Sequence, residues 1–238
     1  SRYLRLDVRA ALRDGLRYIR RTGDCVLTPE TLGRTRLPSQ EQIRFDLQAG
    51  SPSARILAMW ALSDDDHAVV PLVGELLQDR KSDVRVVALQ TLRRLQNLQN
   101  GVENGVLNCL SDGDESVRIA ATETAAALKL NPQVASDRLA VLLTDESGEM
   151  ARAAATALAE YGKNAHVRER DILVALHESL IGCDHDMTDV LLRVLRATSP
   201  DPGQAINDYF RERDDEFRQL AIDALYSGGE SHRAQSGG

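Results

Sequence analysis

The chain has 238 residues, 42% of them hydrophobic and only 4% aromatic, with a formal net charge of −7. Its apolar mass comes from Leu, Ala and Val, which suit closely stacked helices; no run reaches the roughly 18 apolar residues needed to cross a bilayer, and Cys25, Cys109 and Cys183 stand too far apart to indicate a disulfide framework or a zinc ribbon. Residues 1–40 hold nine arginines against four acidic residues, a net of +5 that leaves −12 for residues 41–238, so the long acidic part is a poor general binder of nucleic acid.

Over residues 2–21, Leu4, Val8, Ala11, Leu12, Gly15 and Ile19 recur at helical spacing, with Arg2, Arg5, Arg9, Arg13, Arg17 and Arg20 opposite them. This predicts an amphipathic helix with an arginine stripe, beginning at once from Ser1 instead of a signal peptide. The stripe is a solvated face, or else a surface for an acidic protein, nucleic acid or anionic lipid. Lipid suits it least, because no Trp or Phe stands ready to insert. Residues 22–38 read as a loop with one short turn after Thr28. Ser39 opens a helix with a capping-box pattern, Ser-Gln-Glu-Gln, which Gly50 closes.

From there a unit repeats. SDVRVVALQTLRRL has Val84, Arg85, Ala88 and Leu92, and 33 residues on Val117, Arg118, Ala121 and Ala125 take the same places. Further copies centre on Arg55, Arg152 and Arg218, the Arg152 copy displaced by one extra residue. At 185 a degraded copy has His185 for the Arg and Thr188 for the Ala, with Leu192 kept. A second helix follows each of these, and its Leu77, Leu110, Leu143 and Leu176 are again spaced by 33. Asp79, Asp112 and Asp145 come two residues after the first three, in turns of the residue types that cap helix N-termini. Pro200 and Pro202 mark a break between helices before a short helix around 206–211. The tail after Tyr226 lacks an apolar period and reads as disordered.

Helix, turn, helix with Val-Arg-x-x-Ala-x-x-x-Leu on the first helix resembles HEAT repeats, most nearly the short bacterial kind named after phycobiliprotein lyases. The resemblance spans about residues 50–227. It implies an all-α, right-handed α-solenoid of stacked antiparallel helix pairs over 50–227, with 1–49 as N-terminal helix, loop and capping helix and 228–238 as tail. In such a stack the repeated alanines let first helices approach closely, and the recurrent arginines bridge one unit to the next through charge-assisted hydrogen bonds.

The chain shows no phosphate-binding glycine loop, nucleophile elbow or H-E-x-x-H. HEAT-fold hydroxylases hold iron with His-Glu pairs on successive units, whereas His177-Glu178 is the one such pair here. His177, Cys183, Asp184, His185, Asp186 and Asp189 crowd one turn, as do Asp64, Asp65, Asp66 and His67. Both groups read as solvated, helix-capping turns, with Asp65 or Asp66 the cap of the second, although imidazole and carboxylate together can hold a transition metal. No catalytic residue, cofactor or metal is implied.

The expectation is therefore a non-enzymatic, soluble, cytoplasmic scaffold or adaptor, a fragment or processed form, that binds a protein or peptide on the second-helix, concave face. Projection by 33 residues places two rows there: Glu75, Asn108, Val141, Val174 and Asn207, beside Pro71, Asn104, Asp137, Arg170 and Gly203. Glu75, Asn104, Asn108, Asp137 and Arg170 are the candidate partner-binding residues, together with Arg5, Arg9 and Arg13 of the stripe. Neither row is of one charge or aromatic, which suits a protein better than DNA. The alternatives are a bilin lyase or lyase-like chaperone, implied only by the resemblance, and nucleic-acid binding through the arginine stripe.

Overall fold

The computed structural model describes residues 39–96, 101–211 and 214–227. The arginine stripe with Arg5, Arg9 and Arg13, the loop before Ser39 and the tail from 228 lie outside the described residues. Every regular element among the described residues is helical. The chain divides into two compact units between Cys109 and Leu110.

The first unit contains α1 (Gln40–Ala49), α2 (Pro52–Ala61), α3 (Val70–Glu75) between two short 3-10 turns, α4 (Ser82–Leu95) and α5 (Val102–Cys109). Ser39 Oγ accepts from Gln42 N–H at 3.2 Å, as expected of an N-cap. Gln42 does not complete the box: its amide turns forward to Asp46, one helical turn along. Pro52 enters α2 in its first turn, where a missing N–H costs nothing, and Ser51 caps that helix. The arginine-bearing helices α2 and α4 pack on one another, and α1 and α5 both pack on α3.

Glycine sets how closely α3 and α5 meet. A Cβ on Gly74 would stand 2.8 Å from Val102 Cγ2, and one on Gly105 would stand 2.8 Å from Leu77 Cδ1. Each glycine therefore receives the apolar side chain of the facing helix.

The second unit contains α6 (Glu115–Ala127), α7 (Pro132–Leu142), α8 (Gly148–Tyr161), α9 (Glu169–Ile181), α10 (His185–Thr198), α11 (Pro202–Phe210) and α12 (Asp215–Ser227). Packing runs in two series, α6 to α8 to α10 to α12 and α7 to α9 to α11, with each helix of the second series also packed on the first-series helix that follows it. Pro202 lies inside α11, at its first turn beside the Asp201 cap, so the helix begins earlier than the expected 206. The proline that was read as a break serves as a start, because a first-turn residue needs no N–H partner.

The periodic residues form the core. Ala88, Ala121, Ala155 and Ala221 are wholly buried and Ala58 nearly so, as are Leu77, Leu110, Leu143 and Leu176. The degraded copy repairs itself locally. Thr188, where the repeat has alanine, is buried, and its hydroxyl donates to Asp184 O at 2.9 Å while lying 2.9 Å from Ser179 Oγ, which itself donates to Leu176 O. A buried hydroxyl so partnered escapes the desolvation cost of an orphan.

Candidate functional site

Two kinds of charged site arise from the turns and the second helices. In the turns, each repeated Asp is used three ways. Its Oδ1 accepts the N–H two residues on, from Lys81 at 2.8 Å for Asp79, Asp114 at 2.9 Å for Asp112 and Ser147 at 2.9 Å for Asp145. Its main-chain oxygen accepts from the arginine of the helix it precedes, Arg85 to Asp79 at 2.8 Å and Arg118 to Asp112 at 3.1 Å. Its Oδ2 receives the arginine of the helix before, Arg55 for Asp79 and Arg118 for Asp145, the latter at 3.6 Å. Arg118 therefore ties the turn before its own helix to the turn after the next one. Spacing pointed to the Asp six residues upstream, and the structure shows that this Asp offers its carbonyl while the carboxylate comes from downstream.

Arg152 continues the pattern with a changed acceptor. It pairs with Asp184 at 2.7 Å, and Asp184 also caps α10 through Met187 N–H at 3.0 Å. Asp184 serves because α9 runs on to Ile181, five residues past Leu176, and carries the turn with it. Arg94, which periodicity did not single out, closes α2 instead. It donates to Met59 O at 3.2 Å and Leu62 O at 2.9 Å and pairs with Asp64 at 2.7 Å, supplying the cation favoured at a helix C-terminus.

The crowded polar turns come apart on inspection. His177 points away from the Cys183 to Asp189 turn, its ring edge-on to Tyr209, Phe210 and Phe217 at centroid distances of 6.2, 5.1 and 5.5 Å. Cys183 is an exposed free thiol, and His185 is exposed at the start of α10. Asp66 occupies the N-cap position before Val69 but makes no capping bond; its Oδ2 accepts from Ser63 N–H and Oγ, both at 2.8 Å. Among the described residues no three His, Cys, Asp or Glu side chains are gathered to hold a metal ion.

Of the partner-binding candidates, Glu75, Asn104 and Asn108 are exposed on α3 and α5, and Asp137 and Arg170 are exposed on α7 and α9. The projected row fails at Gly203, which is buried with the Tyr226 hydroxyl over it, 2.8 Å from where a Cβ would stand. The structure brings Asp137, Val141 and Val174 together in one groove of about 550 Å³ between α7 and α9. Thr144 and Asp171 join them, with His166 and Arg168 from the segment between α8 and α9; Arg170 is not part of it. Val141 is 73% exposed, the most of the large aliphatic side chains that stand open on the surface.

None of the four charged or ionisable groups of this groove is spent internally. Asp137 accepts one long hydrogen bond, 3.4 Å, from Gln133 on its own helix, and neither it nor His166, Arg168 or Asp171 enters an ion pair among the described residues. His166, Arg168 and Asp171 escaped the sequence reading because no repeat position points to them. Their signal was the polar run KNAHVRERD, beside the one extra residue that displaces the Arg152 copy. A second hollow of about 510 Å³ in the first unit is lined by Glu75, Arg80 and Lys81 and by the Arg55–Asp79 pair, which neutralise much of one another.

No family model matches the chain, and no curated protein matches it. Among solved structures, it is similar to an engineered protein from the Northeast Structural Genomics Consortium, with a TM-score of 0.53 and 17% identity over 80% of this chain and 96% of that one. At that identity the likeness speaks for the all-helical fold alone. Among the described residues no helix is long and apolar enough to cross a membrane.

Proposed function

We propose that the chain is a non-enzymatic scaffold or adaptor, built of HEAT-like antiparallel helix pairs in a right-handed α-solenoid, that binds a protein or peptide on its second helices. The observation that carries this reading is the contrast in how charge is used. The arginines and aspartates of the turns satisfy one another, whereas Asp137, Asp171, Arg168 and the 73%-exposed Val141 share a groove with no internal ion pair. A groove of both signs with an aliphatic floor matches the mixed chemistry of a polypeptide, and a phosphate polymer would meet two carboxylates in it. The free thiols Cys109 and Cys183 are in keeping with a reducing cytoplasm.

The test is a nuclease-treated pull-down from the source cell's lysate with the intact chain and with Asn104→Lys, Asn108→Lys and Asp137→Lys combined. A protein held by the intact chain and lost with the variant supports the adaptor. Recovery untouched by these exposed substitutions removes the second-helix face from consideration.

A further inference from the structure

Resting on that adaptor reading, we propose that the groove between α7 and α9 is a seat for a basic, aliphatic peptide segment, whose lysine or arginine meets Asp137 and Asp171 while a leucine-like side chain lies between Val141 and Val174. Three observations combine. The volume, about 550 Å³, accepts one or two side chains and the backbone that bears them, within the usual span of ligand clefts. Its apolar part is aliphatic, with Ala140, Val141 and Val174 and no aromatic ring, so it offers no stacking platform for a base or a flat cofactor.

The third observation is charge. Two carboxylates, one from each helix, stand against one permanent cation, Arg168, and none of the three is neutralised within the protein. The part of the chain that surrounds them is acidic throughout, −12 over residues 41–238, so the long-range field draws cationic partners toward a site whose local excess is also negative. Arg168, placed on the same groove, disfavours a second cation beside it and leaves a donor for a peptide carbonyl or carboxylate.

An exposed helical valine argues for use. Valine is among the weaker helix formers, so at a solvated position a charged or longer residue would serve the helix better by about 0.5 kcal/mol. Position 141 instead keeps an aliphatic group 73% open to solvent, opposite another valine across the groove.

The experiment titrates the full chain into a fluorescein-labelled peptide of alternating lysine and leucine pairs, and into its glutamate–leucine counterpart, reading anisotropy. The lysine peptide should bind and the glutamate peptide should not. Asp137→Lys with Asp171→Lys should abolish binding. Val141→Asp decides between a seat and mere attraction: it adds negative charge, so diffuse electrostatics would tighten binding, whereas loss of the aliphatic contact should weaken it about tenfold. Unchanged or tighter binding by Val141→Asp overturns the proposal, as does preference for the glutamate peptide or no binding at all. If these titrations fail while the pull-down still loses its protein with the Lys variant, the adaptor stands and only the basic partner class falls.

Discussion

The second helices α3 and α5 of the first unit and α7 and α9 of the second begin from the same repeat and end with opposite surfaces. Between α3 and α5, Gly74 and Gly105 each admit the facing side chain, and the helices close on one another. Counting 33 residues on from Gly105 reaches Arg138, and 33 more reaches Asp171, which lines the groove. One repeat position thus decides whether neighbouring helices seal or stand open. Glycine there spends the surface on packing, and a long or charged residue leaves it available to a partner.

The largest expected effect comes from breaking the sealed pair. Gly74→Leu drives a side chain into Val102, whose branched Cβ cannot turn aside, and should cost about 3 kcal/mol, read as a lowered midpoint in urea denaturation. Gly105→Ala meets only the end of the Leu77 side chain, and the gain in helix propensity, about 1 kcal/mol, should offset the contact. A fall as large for Gly105→Ala as for Gly74→Leu would show that backbone spacing, not side-chain room, sets the closure.

Next in size is Asp145→Ala. It removes the acceptor of both Ser147 N–H and Arg118, and with both partners about one-fifth exposed the loss should be about 1.5 kcal/mol. Asp184→Ala, which uncaps α10 and releases the more exposed Arg152, should cost about 1 kcal/mol. Smallest on stability is Asp137→Ala, an exposed groove residue, expected within about 0.5 kcal/mol of the parent in the same denaturation series. Should Asp137→Ala prove as costly as Asp145→Ala, the groove carboxylate is a structural part and the contrast between turn and groove dissolves.

Much of the fold was legible because period 33 reports packing directly. Ala88, Ala121 and Ala155 repeat since each first helix faces another, and Leu77 through Leu176 repeat since each second helix turns the same edge inward. The ladder was legible in its members but not in its wiring, because an arginine reaching both ways selects its carboxylate by where the next turn falls. Where α9 runs long, the partner became Asp184, which no count of residues would name. Of the groove, Asp137, Val141 and Val174 came from the projection, while His166, Arg168 and Asp171 did not, since the connecting segment 165–168 obeys no period. Gly203 failed for a related reason: its exposure depends on Tyr226, a residue of a helix that the row does not include.

Arg218 uses its charge differently from the arginines before it. It reaches Asp215 on its own helix at 3.0 Å, and of α12 only Ala221 and Leu225 are buried, against seven residues of α10. A helix fastened mainly to itself is the one that lets go first. Under a pulling force, or in the slow trade of amide protons with heavy water, the second unit should open from α12 and peel toward α10, with Arg196, which donates to Ala224 O and Leu225 O, as the last latch to release. The array then behaves as a zip with a fixed starting end, and the order in which its amides exchange would read out the direction of travel.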